Sequence, residues 1–262
     1  MSATQIIFLG SDSVTPTAGE DTVSFLINRT LLVDTGWASA LRMMDHGLTP
    51  LDLDYLVFTH LHHDHYVGLP QILFYRWMKQ RGQTGARPLT IIGPADDLEL
   101  VVNLAIELLQ PKRFHYQPLL HLVPLAPGET YETERFKLTT CETIHPVQGL
   151  CYRYKDRANG AVTVFTGDTA FCPPIAELAG GADLLIHEAS HGAAAQREST
   201  NQYGHSGSPD AATIAQMAKA RRLALVHGPV SCRDAALAAA REIFPNTFWP
   251  AAGEQVEVEP DA

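Results

Sequence analysis

The chain has 262 residues, which is long enough to bury a large core in one domain over residues 1–262. Its hydrophobic fraction of 45% and charged fraction of 18% are ordinary for a soluble globular protein with no membrane partner. A formal net charge of −10 argues against long nucleic acids as partners, because their binding relies on Lys and Arg.

The first half of the chain alternates apolar strands with helical segments. Strands are predicted at residues 5–9, 22–28, 31–34, 55–58 and 89–92. Helices are predicted at residues 37–45, at residues 70–79, and from Gly93-Pro94 until Pro111 ends the third. On the second helix, Phe74, Tyr75 and Trp77 either wall a pocket or belong to the core.

The second half of the chain repeats this alternation. Strands are predicted at residues 119–123, 135–143, 149–155, 161–166, 183–187, 222–226, 247–250 and 255–258. Helices are predicted at residues 173–179, 208–220 and 231–242. Two batches of strands, each interleaved with helices, predict an α/β fold of two mixed sheets packed together with helices outside, a four-layer αββα sandwich.

Four cysteines are present and form no CxxC pair, so a cysteine-based zinc site is not expected. Reduced thiols are typical of cytosolic proteins. The first residues lack the basic stretch and apolar run of a signal peptide. We therefore expect a cytoplasmic protein.

Metal-type side chains are concentrated at the end of the apolar run Tyr55–Phe58. Within six residues, His60, His62, Asp64 and His65 form an H-x-H-x-D-H pattern. An extended backbone would point the first three to one side, and a turn would then bring in the fourth. Imidazole and carboxylate suit zinc, and manganese or iron accept the same donors. Four such groups exceed what one catalytic zinc takes from a single loop, so two metals are expected; a histidine-rich surface loop is the alternative.

Three further metal-type residues each follow a predicted strand, namely His145, Asp168 and His227. Loops at strand ends commonly carry function, although each residue alone could also be a turn or packing residue. Together with the first loop they complete two sites. We expect His60, His62 and His145 on one metal, Asp64, His65 and His227 on the second, and Asp168 as a bridge between them.

The order and spacing of these motifs resemble the metallo-β-lactamase superfamily, and specifically its ribonuclease Z-like branch. The shared metal motifs are Leu32–Gly36 and His60–His65. A more specific likeness lies in Leu185–Ser190 followed by Gly204–Ser206. The resemblance covers nearly the whole chain and implies two divalent metal ions and a homodimer.

The resemblance also implies catalytic roles. Glu188 would orient His205, and His205 would donate a proton to the leaving oxygen of a phosphodiester attacked by a metal-bound hydroxide. Asp64 would help to position or deprotonate the metal-bound water. Without the resemblance, Glu188 would be interpreted as a surface ion-pair residue and His205 as a loop histidine. The residue Asp34, which ends the predicted hairpin, caps the next helix, orients a metal-binding histidine, or does both.

The chain departs from this branch in one segment. Bacterial enzymes that process tRNA carry a long basic arm in the interval between Tyr154 and Ala161, where this chain has six residues. The pair Gly228-Pro229 after His227 also differs from the pattern of the branch. We therefore expect a small or short phosphodiester as substrate. The alternatives are a lactonase or arylsulfatase-like hydrolase, a tRNA 3'-processing endonuclease, and a scaffold protein that keeps the metals for stability.

Overall fold

Two seven-stranded mixed sheets lie at the centre of the structure, a computed structural model that describes residues 3–82, 84–115, 118–197, 199 and 201–260. The strands of the first sheet are β1 (Thr4–Gly10), β2 (Ser24–Ile27), β3 (Leu31–Val33), β4 (Tyr55–Val57), β5 (Leu89–Pro94), β6 (Leu120–Leu125) and β14 (Gln255–Val258). Their order across the sheet is β14-β1-β2-β3-β4-β5-β6. Neighbours from β14 to β3 are antiparallel, and those from β3 to β6 are parallel.

The second sheet repeats the plan of the first. Its strands are β7 (Thr130–Glu132), β8 (Phe136–Glu142), β9 (Leu150–Asp156), β10 (Val162–Phe165), β11 (Leu184–Glu188), β12 (Leu223–Val226) and β13 (Thr247–Phe248). They follow one another in sequence order across the sheet. The first four are antiparallel to their neighbours, and β10 to β13 run parallel.

Helices cover the outer face of each sheet. Those against the first sheet belong to the first half of the chain: α1 (Ser39–Met44), α2 (His63–Tyr66), α3 (Leu69–Gln80) and α4 (Leu98–Leu108). The short helix α5 (Pro111–Phe114) follows α4 and buries none of its residues. Those against the second sheet are α6 (Pro173–Leu178), α7 (Ser208–Ala218) and α8 (Arg233–Ile243), with a 3-10 turn at Val230–Cys232. Across the described residues, no helix has both the length and the apolar character needed to cross a bilayer.

Three apolar clusters hold these layers together. Residues from both sheets form the central one, which includes Phe25 against Phe165 with ring centroids 5.5 Å apart. A second cluster joins the first sheet to its helices through side chains such as Ile72. A third joins the second sheet to helices that pack mainly through alanines, such as Ala211 and Ala215. The predicted αββα sandwich is confirmed.

Some predicted boundaries were wrong. The segment Gly93-Pro94 ends β5, where it pairs with β6, and α4 begins only at Leu98. Pro111 begins the short helix α5 because proline suits a first helical turn. Strand β7 was not predicted, since an edge strand with both ends exposed lacks an apolar alternation.

Candidate metal centre

Loops from both sheets bring the seven predicted ligands to one end of the sandwich. The antiparallel bridge between His60 and Gly149 joins the first sheet to the second at this point. Gly167 allows a close approach, because a Cβ atom there would lie 2.5 Å from the Cβ of Thr59. Within each group below, the ligand atoms lie within 4.8 Å of one another. The groups are His60, His62 and His145; His60, His65 and Asp168; Asp64, His65 and His227; and Asp168, His205 and His227.

The first group presents three ring nitrogens to a common point. His145 Nδ1 donates to the carbonyl of Gly204 over 3.0 Å, which leaves Nε2 to face His62 Nδ1 at 2.9 Å. Burial lowers the pKa of His60, His62 and His145. The rings are therefore neutral near pH 7, and a neutral imidazole is the form that binds a metal.

The second group differs from the first, because it includes a carboxylate and because its rings have other pKa shifts. Burial would lower the pKa of His65 and His227, but nearby carboxylates, Asp168 foremost, raise it. The Nε2 atoms of His65 and His227 lie 3.3 Å apart, and Asp64 Oδ2 lies 3.2 Å from His227 Nε2. Burial alone would raise the pKa of Asp64, but the hydrogen bond with His227 and the charges of His65 and His227 together lower it. Asp64 is therefore ionised and offers a negative donor between two imidazoles.

Asp168 lies between the two groups. Its Oδ2 atom is 3.6 Å from His60 Nε2 and His65 Nε2, and 3.4 Å from His227 Nε2. Burial would raise the pKa of Asp168, but His227 and His65 hold it well below its usual range. Its position agrees with the bridging role that the sequence predicted.

The donor set fits two divalent ions. Among the described side chains, His60 Nε2 and Asp168 Oδ1 are buried without a hydrogen-bond partner. Buried polar atoms are normally paired, so atoms left unpaired in a cluster of ligands indicate a place for a cation. The two pairs of ring nitrogens that face each other at 2.9 Å and 3.3 Å also indicate places for cations. The assignment of individual ligands stays a prediction.

The expected geometry of the histidine loop was wrong for Asp64. The chain leaves the extended conformation at His62 and turns into α2 at His63. Asp64 and His65 are therefore presented by one helical turn, whereas His60 and His62 come from extended backbone. A four-residue helix is too short to leave a periodic pattern in the sequence.

The structure decides between the two roles considered for Asp34. Helix α1 has Ala38 at its N-cap and no side-chain cap. Instead, Asp34 Oδ2 accepts from His65 Nδ1 over 2.9 Å, and Oδ1 accepts from the backbone N–H of Thr59 over 2.9 Å. Asp34 thus fixes the ring of His65, a predicted metal ligand. Both Asp34 and His227 hold positive φ angles, 52° and 54°, a strained conformation that is typical of functional sites.

Glu188 and His205 meet beside the metal-type cluster. His205 Nδ1 lies 3.0 Å from Glu188 Oε1, and the side chain of His205 is 21% exposed. Burial would lower the pKa of His205, but the hydrogen bond to Glu188 and the negative charges around the ring together raise it. Glu188 is itself held by the backbone N–H groups of Thr169 and Ser190. The pair that the resemblance implied is therefore in contact, and its catalytic role stays a prediction.

Sequence reasoning missed the residues that hold these histidines. Ser190 Oγ lies 2.9 Å from His227 Nδ1 and donates to the carbonyl of His227. Asn201 makes hydrogen bonds to both backbone groups of His205. Ser190 belongs to the Leu185–Ser190 motif, so the sequence indicated that this segment is functional. Asn201 lies in an irregular loop, where the sequence carried no such indication.

A family model described as a beta-lactamase superfamily domain matches residues 29–228. The chain belongs to the β-lactamase superfamily. Within it, a similar curated protein is named ribonuclease Z, from Geobacillus kaustophilus, with 28% identity over 93% of this chain and 95% of the relative. Among solved structures, the metallo-beta-lactamase fold protein YhfI from Bacillus subtilis superposes with a TM-score of 0.80 at 25% identity over 97% of this chain and 99% of its own.

A human structure extends the likeness in fold. The short form of human tRNase Z superposes with a TM-score of 0.74 at 20% identity over 97% of this chain and 99% of its own. The alignment with the Geobacillus protein spans 303 positions, which exceeds the 262 residues of this chain. That relative therefore carries segments that this superfamily member lacks. The resemblance inferred from the sequence motifs is confirmed.

Proposed function

We propose that the chain is a dinuclear metal-dependent hydrolase, a ribonuclease Z-like phosphodiesterase formed by one domain over residues 1–262. The observation that carries the proposal is the contact between Glu188 and His205, at 3.0 Å, directly beside two groups of metal-type ligands. Hydrolysis of a phosphodiester with a poor leaving group needs an acid at the leaving oxygen. The ribonuclease Z name of the curated relatives supports this choice among the reactions of the superfamily.

In this proposal, two divalent ions are held by the sets His60, His62, His145 and Asp64, His65, His227, with Asp168 shared. When bound, such ions activate water near neutral pH and offset the charge of the phosphodiester. Zinc is proposed because nitrogen and carboxylate donors dominate the site, and manganese or iron accept the same donors.

Side chains of the protein then supply the proton and orient the reacting groups. His205 Nδ1 faces Glu188, so its exchangeable proton for the leaving oxygen is held at Nε2. The Glu188 carboxylate keeps the ring oriented and favours its protonated form. Asp64 Oδ2, ionised and aimed into the ligand cluster, orients the attacking water.

The substrate proposed is smaller than a tRNA. Strands β9 and β10 are joined by a short turn after Asp156, where the arm of the tRNA-processing enzymes would stand. The net charge of −10 disfavours a long polyanion. The inserted segments of the ribonuclease Z relative are consistent with a gripping element that this chain lacks.

A cytoplasmic homodimer is part of the same proposal. Seven large apolar side chains are exposed on the helices that cover the first sheet: Leu41, Met44, Phe74, Met78, Leu100, Leu104 and Leu108, here termed the exposed helical face. At roughly 100 Å² each, they approach the area of about 800 Å² per partner that a stable interface needs. Phe74, for which a core position or a pocket wall was considered, belongs to this face. The cytoplasmic location is proposed on the four unpaired cysteines.

A hydrolysis screen tests the proposed function. Metal-reconstituted protein would be assayed with bis(p-nitrophenyl) phosphate, p-nitrophenyl sulfate and a homoserine lactone. We expect turnover of the phosphodiester and at least about tenfold less activity on the other two. Turnover of the lactone or the sulfate alone would overturn the proposal in favour of another hydrolase on the same ligands. Fewer than about two metals per chain with no hydrolysis at all would indicate a scaffold protein.

A further inference from the structure

Two large apolar side chains stand exposed next to the candidate site. Ile144 is 52% exposed and precedes the predicted ligand His145, and Tyr203 is 64% exposed and lies two residues before His205. Single exposed apolar residues are common on protein surfaces and need no special explanation. These two differ, because each is carried by tightly held backbone that also carries a site histidine.

The backbone of Ile144 is fixed on both sides. Its N–H donates to Thr169 Oγ1 over 3.1 Å, and its carbonyl accepts from the N–H of Ala170 over 2.9 Å. The same segment holds Asp168, so the position of Ile144 is set by the segment that carries the predicted bridging ligand. Its side chain is nevertheless exposed to solvent, even though its backbone is held firmly in place.

Tyr203 stands at the tip of a closed turn. The side chain of Asn201 accepts from the N–H of His205 over 3.1 Å and donates to the carbonyl of the same residue. The N–H of Gly204 donates to the carbonyl of Asn201 over 3.2 Å. Tyr203 is therefore presented by a turn whose two ends are tied together.

The turn packs directly against the Ile144 segment. A Cβ atom at Gly204, where φ is +65°, would lie 2.6 Å from the carbonyl oxygen of Ile144 and 2.9 Å from the Cα of His145. Only glycine fits there. The rings of His145 and His205 lie 5.1 Å apart, and Ile144 and Tyr203 precede these histidines on the two packed segments.

We propose that Tyr203 and Ile144 bind a planar, uncharged ring on the leaving-group side of the substrate. The inference rests on the proposed function, in which His205 protonates the leaving oxygen, so that the group attached to this oxygen lies beside His205. Neither side chain carries a charge near pH 7, and the tyrosine ring offers a flat face for stacking. The substrate class is thus a short phosphodiester whose leaving group bears an aryl or nucleobase ring, in preference to a plain alkyl group.

The test compares two ligands with the same charged group, phenylphosphonate and ethylphosphonate, at a pH where both are fully ionised. Titration calorimetry on the metal-loaded protein should show about tenfold tighter binding of the phenyl compound. Tyr203→Ala should reduce this preference to about twofold or less, whereas Tyr203→Phe should keep it because the ring remains. Met217→Ala, which removes an exposed apolar side chain from α7, is the matched control and should change neither affinity.

Turnover supplies a second readout. For Tyr203→Ala, the KM of a phenyl-leaving phosphodiester should rise about tenfold with kcat within about twofold, and the KM of an ethyl-leaving phosphodiester should not change. An equal loss on both ligands and both esters would mean that Tyr203 acts only through the turn that positions His205, and would overturn the proposal. An unchanged phenyl preference in Tyr203→Ala would overturn it as well. If the wild type hydrolyses no phosphodiester, the proposed function itself fails, and the inference fails with it.

Discussion

Asp34 orients the ring of His65 and is not itself one of the predicted ligands. Its carboxylate accepts both from His65 Nδ1 and from Thr59 Oγ1. In Asp34→Asn the positive φ angle is retained, because asparagine tolerates that region, but one acceptor oxygen becomes an NH₂ group. We expect the affinity for one of the two metals to fall about 10- to 100-fold.

Competition with a chromogenic chelator at pH 7 measures this change. Asp52→Asn is the matched control, because Asp52 lies in an exposed turn and its side chain accepts only local bonds from Thr49. Equal metal affinities in Asp34→Asn and the wild type would contradict the orienting role of Asp34.

The contribution of His205 to kcat should increase with the pKa of the leaving group. In His205→Ala, we expect kcat for an alkyl phosphodiester to fall about 10²- to 10⁴-fold, because no acid remains at the leaving oxygen. A p-nitrophenyl ester, whose leaving group needs no proton, should lose far less. Steady-state kinetics measures both losses.

The metal content of His205→Ala should stay at two per chain, as measured by elemental analysis. Loss of a metal from this variant would place His205 among the ligands, a position that its distance of 3.8 Å from Asp168 Oδ2 allows. Full activity on the alkyl ester would remove the acid role altogether.

Helix α7 lies close to the second sheet because its inner face consists of small residues. Ala211, Ala215 and Ala218 are buried there, and α8 meets α7 with alanines of its own. In a packed layer of this kind, added methylene groups have no space. We expect Ala215→Leu to lower the free energy of unfolding by about 1–3 kcal/mol.

Urea denaturation followed by circular dichroism tests this expectation. Met217→Leu on the exposed face of α7 is the control and should stay within about 0.5 kcal/mol of the wild type. A stability of Ala215→Leu equal to that of the control would mean that this interface contains unfilled space.

The elements of the fold were predictable wherever burial leaves a pattern. Strand β12 is buried along its whole length and follows a continuous apolar run, so the sequence predicts it well. Strand β7 and helix α2 are short, and the position of each depends on its partners in the fold. At α2 the consequence was functional, because Asp64 was expected on an extended backbone.

At the scale of the whole molecule, the candidate centre joins the two sheets. His60 and His65 follow β4 of the first sheet, whereas His145, Asp168 and His227 follow strands of the second. Ions that bind only the folded arrangement stabilise it by about 2.7 kcal/mol per site at a free concentration 100 times Kd. Metal removal by a chelator should therefore lower Tm by roughly 5–10 °C.

Differential scanning calorimetry of the metal-loaded and chelated protein measures this shift, and readdition of zinc should reverse it. A Tm that does not respond to either treatment would contradict metal binding at this junction.

The exposed helical face predicts the assembly state. Placing a charge on it by Leu104→Glu should convert the proposed homodimer to a monomer, because the charge would be buried without a partner. Met217→Glu on the opposite helical layer should leave the dimer intact. Sedimentation velocity distinguishes the two states. A wild type that is monomeric at micromolar concentration would contradict the assignment of this face.

The chemistry of the site was largely predictable, but its geometry was not. Metal-type residues that follow strands predicted which side chains the fold brings together at one end of the sandwich, and their roles as ligands stay a prediction. The sequence could not predict that Asn201 ties the turn of His205, or that Gly204 packs against His145. The first relation lies within an irregular loop, and the second joins segments 59 residues apart.

The pairing of β1 with β14 has a consequence for synthesis of the chain. Thr4 lies opposite Val258, so β1 lacks one of its two neighbours until the chain has been made as far as β14. Residues 6–9 of β1 are apolar and fully buried in the finished fold. On the ribosome, this strand therefore presents an unpaired apolar edge until β14 has been made, which is a recognised route to aggregation. Slower translation lengthens that exposure, so soluble yield during expression should depend on elongation rate even when the finished protein is stable.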